Sequence, residues 1–495
     1  MAKKKLSPSQ VLDMDATALL DAYRQGTVTP GEAVEIFIAQ QIKANGRLNL
    51  VAACRHEAAQ EEAARCDEQL KKGKIKGKLF GIPMTMKEAF DVAGMRTTGA
   101  LRHMKDRAVS TTDAEAVKRL RDEGAIILDK SNTPSLCFCQ ETNNYLFGRS
   151  NNPWNPEFTT GGSSGGEAGL IAIGAAAAGF GSDIGGSIRI PSHCNGVVGF
   201  KAGAFRFPEQ GHLPEVTVEN QERMLGFGPI AKSVRDAALI YSIIEPSFKV
   251  PSSWQLPKKL KVISFGSFHK TRCTAETMDT LKKAQDALKE SGSGLELQTE
   301  PPGFMKDVAL FWQLIMSEDA AAGIRKWAYP HLKKGNIWDH VGIFFDFAKA
   351  KIGLEAMNHP FISWGILGAR LFSPNRKKRA KTNEFIHTHL KEIEDMLGNN
   401  GVFVIPTYPS PAKKHNKIYW EIFSVCKTFR WVMPFIALPN TFGLPAIIVP
   451  CGRSGAGMPI GLQVVGKVGN EDLVFRVASF LESRLGGYRR CTDYD

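Results

Sequence analysis

Nowhere does the chain carry a run of about 20 apolar residues, the length a membrane-spanning helix needs, so no transmembrane helix is expected. Met1-Ala-Lys-Lys-Lys-Leu6 is basic but is not followed by the apolar stretch of a secretory leader. No Asn-x-Ser/Thr acceptor with x other than Pro occurs either. Both absences predict an intracellular place, in the cytoplasm or on the face of a membrane. A disulfide framework is missing as well: the nine cysteines (Cys54, Cys66, Cys137, Cys139, Cys194, Cys273, Cys426, Cys451 and Cys491) are odd in number and dispersed. Cys137-Phe-Cys139 is the one close pair, and without a second pair or a nearby His pattern it does not read as a zinc site. No metal and no cofactor are therefore expected.

What is present is the composition of a folded protein: 495 residues, 43% hydrophobic and 23% charged, with 63 basic against 50 acidic side chains. The net charge of +13 is compatible with nucleic acid or an anionic membrane surface. Length alone allows roughly two to four domains of ~150 residues, but no repeat and no long linker divides the chain. One α/β domain over 15–490 is the economical reading, with a basic tail at 1–14, a short tail at 491–495, and an aromatic, helical insertion at 300–390 facing a membrane. Helical spacing marks Ala16 to Tyr23, Gly31 to Ala39 and His56 to Lys71. Gly81-Ile-Pro-Met-Thr-Met predicts a strand ending at Lys87. Thr112-Asp-Ala-Glu115 predicts a capping box opening a helix with Ala116, Val117 and Leu120 inward. Glu167 to Ala178 predicts a helix of small residues between two glycine loops, and Val402 to Pro406, Ala446 to Pro450 and Pro459 to Val465 predict buried strands.

The chemistry lies in the two loops, Gly161-Gly-Ser-Ser-Gly-Gly166 and Gly181-Ser-Asp-Ile-Gly-Gly-Ser-Ile-Arg189. Glycine lets successive backbone N–H groups converge on one cavity, the arrangement that stabilises an oxyanion. A serine closing such a loop is a natural nucleophile if a base can take its proton. Three other readings stand beside this one. The first loop precedes a helix and could cradle phosphate, although it lacks the Gly-Lys-Ser/Thr ending of a P-loop. Gly162-Ser-Ser-Gly-Gly166 matches Gly-x-Ser-x-Gly centred on Ser164, but follows Asn155-Pro-Glu-Phe-Thr-Thr rather than an apolar strand. Either loop could also be a structural turn.

The two loops, with 24 residues from Ser163 to Ser187, resemble the amidase signature. Gly81-Ile-Pro-Met-Thr-Met-Lys87-Glu is similar to the family's lysine motif, and Leu444-Pro-Ala-Ile-Ile-Val-Pro and Pro459-Ile-Gly-Leu-Gln-Val-Val-Gly to its C-terminal sheet motif. Within the family the chain is most similar to the fatty-acid amide hydrolases of the second type, through Asn143-Asn-Tyr-Leu-Phe-Gly-Arg-Ser-Asn-Asn-Pro and Leu485-Gly-Gly. The resemblance implies a mixed central sheet sandwiched by helices, and a serine amidase. In it Ser187 would be the nucleophile, Ser163 a bridging serine held by a cis peptide, and Lys87 the base. The N–H groups of Ile184, Gly185, Gly186 and Ser187 would form the oxyanion hole, with Ser164, Asp183 and Arg189 in support and Cys137–Phe138 lining the substrate channel. Gly199-Phe-Lys-Ala-Gly203 departs from the family's Gly-x-Lys-Pro-Ser/Thr, which affects the shape of that loop rather than the chemistry. An exposed lysine, with a pKa of ~10.4, is no base near pH 7, but burial can lower it by several units. No histidine is needed, and His193 reads as a satisfied structural residue.

Val341-Gly-Ile-Phe-Phe-Asp-Phe and Phe361 to Phe372 are apolar and aromatic, and Arg376, Lys377, Lys378, Arg379 and Lys381 follow. Apolar rings beside a basic cluster are the pattern of an interfacial segment, so residues 341–381 are expected to touch a membrane or gate a lipophilic amide, with 361–372 in the lipid. No nucleic-acid partner is expected. A core helix followed by a solvated loop is the plainer alternative, and a homodimer is left open. Two other functions remain: the A subunit of a glutamyl-tRNA amidotransferase, which would need a charged pocket, and a catalytically silent binding protein.

Overall fold

A computed structural model describes residues 5–332, 336–422 and 429–495; Cys426 and the first four residues of the expected basic tail lie outside them. Eleven strands form one sheet: β1 (Val51–Cys54), β2 (Pro83–Lys87), β3 (Ile126–Ser131), β4 (Ala178–Asp183), β5 (Val198–Lys201), β6 (Gly226–Ala231), β7 (Lys259–Ile263), β8 (Gly294–Gln298), β9 (Gly401–Pro406), β10 (Ala446–Arg453) and β11 (Pro459–Val465). Their order across the sheet is β1-β3-β2-β4-β6-β5-β10-β11-β9-β7-β8. β2 runs parallel to both β3 and β4, whereas β4, β6, β5, β10, β11 and β9 pair antiparallel in turn, so the sheet is mixed.

The central strands are buried on both faces, which is why they read as continuous apolar runs rather than alternating ones. Along β9, Val402 and Val404 enter the core that holds Met84, Phe200 and Val464, while Phe403 and Ile405 enter a second core with Ile190, Phe435 and Val465. Helices Ala16–Gln25, Pro30–Leu48, Val234–Ile244 and Glu471–Leu485 supply the first core; Arg189–Asn195, Met305–Met316 and Pro434–Thr441 supply the second. The expected α/β sandwich is the observed one.

Three local expectations are corrected. The Ala-rich stretch is a helix only over Gly165–Ala172; Gly174 turns left-handed (φ 73°), and Ala178 to Asp183 is strand β4. The capping box expected at Thr112 does not form: the helix begins at Glu115, so Ala114 rather than Thr112 is its N-cap and no side chain caps it, while the intervening Asp113 accepts the Ala93 N–H (2.7 Å) and pairs with Arg121 (3.2 Å). The two ends expected as tails are docked where they are described. Pro8–Asp13 is a helix with Val11 and Leu12 buried, and Arg490 binds Asp13 (2.6 Å) and Ser9 (2.9 Å) beside buried Cys491 and Tyr494.

Because Phe403 is enclosed on the second face of β9, Phe403→Ala is expected to lower stability by about 3–5 kcal/mol, read as a lower urea midpoint.

Candidate active site

Lys87 is the last residue of β2 and is fully buried. Its Nζ lies 2.6 Å from Ser163 Oγ, 3.0 Å from Ser182 Oγ and 3.3 Å from the Ser182 carbonyl. Burial pushes this amine below the ordinary lysine range, against the opposite pull of Cys137 and Asp183. Beneath it Glu167, which accepts from Thr85, is pushed up to about 8 by burial, so near neutral pH it is mostly protonated and adds little negative charge under the lysine.

Ser163 follows a cis peptide bond from Gly162, and its carbonyl accepts from Thr133 Oγ1 at 2.8 Å. The next N–H, of Ser164, donates to the Ser187 carbonyl at 3.0 Å and so ties the two glycine loops together. The second loop is wound around Asp183. Its carboxylate accepts from the N–H groups of Gly186 (2.8 Å), Ile188 (3.1 Å) and Arg189 (3.3 Å), and takes the Arg189 guanidinium on both oxygens (3.0 Å each). The Arg189 guanidinium holds the Asp183 carboxyl well below the usual carboxylate range despite complete burial. Arg189 further donates to the Ile436 carbonyl (3.1 Å) and Gln463 (3.3 Å), which fastens the loop to the far half of the sheet. The turn requires glycine at 186, where φ is 95° and a Cβ would meet Ile190 and Ile436. At Gly185 a Cβ would fall 2.7 Å from the Trp312 ring.

Ser163, Ser182, Ile184, Gly185 and Ser187 all border one cavity of about 1750 Å³, its open mouth included. Cys137 and Phe138 also line it, Phe138 lying close against Gly365. Ser164, Asp183, Gly186 and Arg189 lie behind the loop rather than on the cavity. Ser164 is fully buried, so the elbow reading centred on it places its hydroxyl away from any substrate. His193 accepts the Gly461 N–H (3.0 Å) and meets the Ser410 carbonyl (3.0 Å), a structural role in helix Arg189–Asn195. The sequence reading missed Gln140, which donates to the Gly185 carbonyl (2.6 Å), and Trp312, whose indole donates to the Ile184 carbonyl (3.1 Å). It also passed over Ser182, which sits inside the quoted loop, and His212, for which no motif gave a signal. Among the described residues no group of three or more His, Cys, Asp and Glu side chains is placed to hold a metal ion.

Breaking a buried pair strands the surviving charge, so Asp183→Asn is expected to lower stability by about 3–5 kcal/mol, measured by urea unfolding. Because the Asp183 pKa is depressed on folding, the pair's contribution is fully present above the unfolded carboxyl value of about 4 and is lost only in stronger acid. The deficit of the variant should therefore be constant from pH 5 to 8, the interval in which the comparison is to be made.

Residues 32–475 match the profile of the amidase family. The chain is 32% identical to human fatty-acid amide hydrolase 2, an alignment covering 97% of this chain and 90% of that protein. It is 27% identical to the A subunit of the glutamyl-tRNA(Gln) amidotransferase of Clostridium kluyveri, over 95% of each chain. A solved fatty acid amide hydrolase superposes with a TM-score of 0.78 at 20% identity, over 97% of this chain and 87% of that one. A profile spanning most of the chain, a near full-length relative above 30% identity and the shared fold together establish that the chain belongs to the amidase family, whose members hydrolyse amides.

Proposed function

We propose that the protein is a serine amidase that hydrolyses long-chain fatty acyl amides to the acid and the amine or ammonia through an acyl-enzyme on Ser187. The observation that carries this reading is the buried Lys87 amine 2.6 Å from Ser163 Oγ, at a cavity that Ser187 also borders. A buried lysine without a carboxylate partner at hydrogen-bond distance favours the neutral amine, which is a base. In the reaction Lys87 takes the proton of Ser163 as Ser163 takes that of Ser187, and Ser187 Oγ attacks the amide carbonyl. The same relay run backwards delivers the proton to the leaving nitrogen, and water then repeats the cycle on the ester. The N–H groups of Ile184, Gly185 and Ser187 receive the oxyanion. The Gly186 N–H, expected as a fourth donor, is committed to Asp183. Asp183, Arg189 and Ser164 act by holding the loop.

The acyl preference rests on the cavity wall, where Phe138, Trp312, Met316, Ile324, Leu367 and Phe372 are among the lining side chains. Each buried CH₂ contributes ~0.8 kcal/mol, so a long chain gains far more from such a wall than an acetyl group. A glutamine-cleaving enzyme would need spare charge there. The two acidic residues of the wall are already engaged: Glu215 with Lys326 (2.8 Å), and Asp319 with the N–H groups of Ala321 and Gly323 (3.0 Å each). The likeness to fatty-acid amide hydrolase 2 supports the same choice. The likeness to the amidotransferase keeps a glutaminase assay as the control.

Access from a membrane completes the proposal, with one change of surface. In helix Pro360–Phe372, Ile362, Ile366 and Ala369 are buried while Trp364 and Leu367 line the cavity, so most of that segment is wall rather than lipid contact. Among the apolar side chains left in solvent are Ile337, Trp338 (75% exposed), Phe344 and Phe345 of the preceding helix, Ile337–Lys351, Ile352 and Leu354 just after it, and Leu371 (81% exposed) and Phe372 at the end of the cavity wall. Arg376 to Lys381 are exposed at the start of the next helix. Among the described residues no helix is long and apolar enough to cross a membrane. An amphipathic patch beside the mouth of an apolar cavity is the arrangement that lets a lipid amide pass from the interface inward.

A fluorophosphonate probe is expected to label Ser187 and no other serine by mass spectrometry, and Ser187→Ala to abolish turnover with the fold intact. Lys87→Ala should lower the rate by several orders of magnitude at pH 7, with partial recovery at high pH as hydroxide replaces the base. A variant keeping a tenth of the activity would remove Lys87 from the mechanism.

Across an acyl series, long-chain amides should exceed acetamide in kcat/KM, and glutamine should not be cleaved. Trp338→Ser/Phe344→Ser/Leu371→Ser should stop flotation with anionic liposomes while soluble short-chain turnover persists. Equal flotation would assign the patch to ordinary surface, and loss in high salt alone would point to the basic cluster.

A further inference from the structure

His212 lies on a loop far from both signature motifs, yet its ring reaches the catalytic lysine through one hydroxyl. Nδ1 meets the Pro214 carbonyl at 3.2 Å, and Nε2 meets Ser182 Oγ at 3.0 Å. Ser182 Oγ in turn meets Lys87 Nζ at 3.0 Å. The ring is packed edge-on against Phe90, with its centroid 5.0 Å from those of both Phe90 and Phe227.

The direction of every hydrogen bond in this chain follows from donor and acceptor chemistry. A carbonyl can only accept, so Nδ1 carries the hydrogen and donates it to Pro214. Burial, reinforced by the charge of Lys87, pushes the imidazole down to about 3, so the ring is neutral and Nε2 is a bare acceptor. Ser182 O–H must then donate to Nε2, which leaves Ser182 Oγ with lone pairs alone to offer Lys87. Lys87 spends one N–H on that oxygen and a second on the Ser182 carbonyl at 3.3 Å. The remaining valence of the neutral amine is its lone pair; the Cys137 thiol also faces the amine, but Ser163 Oγ at 2.6 Å is its shortest contact and the partner for that lone pair.

We propose that His212 is a positioning residue: by accepting from Ser182 it denies that hydroxyl to the Lys87 lone pair, and so aims the base at Ser163. The assignment rests on the serine–lysine relay proposed above. Without the imidazole acceptor, Ser182 O–H turns to the nearest lone pair, that of Lys87, and competes with Ser163. Capturing the lone pair stabilises the neutral amine, so the apparent pKa of the base falls as the rate falls. The groups that face Lys87 and set its titration in either case are Cys137, Asp183 and Glu167. Phe90 and Phe227, which pack on His212, do not titrate.

The test follows the rate of Ser187 phosphonylation by a fluorophosphonate across pH 6–10, together with kcat and KM for a soluble amide. His212→Leu removes the acceptor with little change in bulk. It is expected to slow labelling and kcat by about 3- to 10-fold, the size of a lost neutral hydrogen bond, to change KM by less than about twofold, and to move the acidic limb to lower pH. His212→Gln, whose amide oxygen can accept from Ser182, should recover most of the rate and the original limb. In a Ser182→Ala background, His212→Leu should have no further effect. A wild-type protein labelled at Ser187, with His212→Leu matching it in rate and pH limb, would overturn the assignment and leave the relay standing. A loss that Gln does not relieve, with a lower thermal midpoint, would overturn it in favour of ring packing. A wild-type protein that does not label at Ser187 would overturn the relay, and this assignment with it.

Discussion

Asp183 and Arg189 are both sealed from water and meet through two hydrogen bonds of 3.0 Å, and the geometry of the second glycine loop hangs on that contact. A buried carboxylate must collect donors on both oxygens, and here the donors are the backbone of the loop itself and one guanidinium. The loop is thereby drawn into a tight turn from the end of β4 into helix Arg189–Asn195, with Ser187 at the cavity. Arg189 and Asn440 carry the same constraint to helix Pro434–Thr441 and to Gln463 on β11. The two halves of the sheet are therefore referenced to one point, and the serine is placed by secondary contacts rather than by its own.

The second constraint is the burial of Lys87, which has opposite consequences for charge and for reactivity. Removing an ammonium from water is unfavourable, and the surroundings answer with hydroxyls, carbonyls and a high-pKa Glu167 rather than with an ionised carboxylate in contact. An intimate carboxylate would have stabilised the charged form and removed the base. Asp183 lies close enough to act on the lysine through space, but its own oxygens are taken by Arg189, Asn440 and the loop. Burial thus lowers the Lys87 pKa even though Asp183 pulls the other way.

The wall of the cavity comes largely from a different part of the chain than the glycine loops. The sheet and its glycine loops supply rigid backbone, whereas helices between 305 and 372 bring the apolar wall and the exposed rings. Trp312 and Gln140 join the two parts, each donating to a carbonyl of the 184–185 segment from the substrate side. A change in helix Met305–Met316 therefore has a direct route, through Trp312, to the second glycine loop.

The mixed α/β architecture, the buried strands and the two glycine loops that bring Lys87, Ser163 and Ser187 together as candidates were legible in the sequence, because each depends on local pattern: apolar runs for doubly buried strands, and glycine spacing for loops that bring backbone close. Where local pattern competed with distant contacts, the local reading failed. Ala175 to Ala178 has helical composition, but a left-handed Gly174 and the approach of Glu167 and Ser164 to Gly179 and Gly181 make it the entry to a strand. Thr112-Asp-Ala-Glu115 had the signature of a capping box, but the helix begins at Glu115 with Ala114 at its N-cap. The helix over 360–372 reads as a lipid-facing segment, yet Ile362, Ile366 and Ala369 are buried and Trp364 and Leu367 line the cavity, while Leu371 at its end is exposed. The commitment of the Gly186 N–H, the alignment of Trp312 and Gln140, and the reach of His212 to Ser182 were decided by tertiary structure alone. Each joins residues distant along the chain, or fixes which way a hydrogen points, and neither is encoded in spacing along one segment.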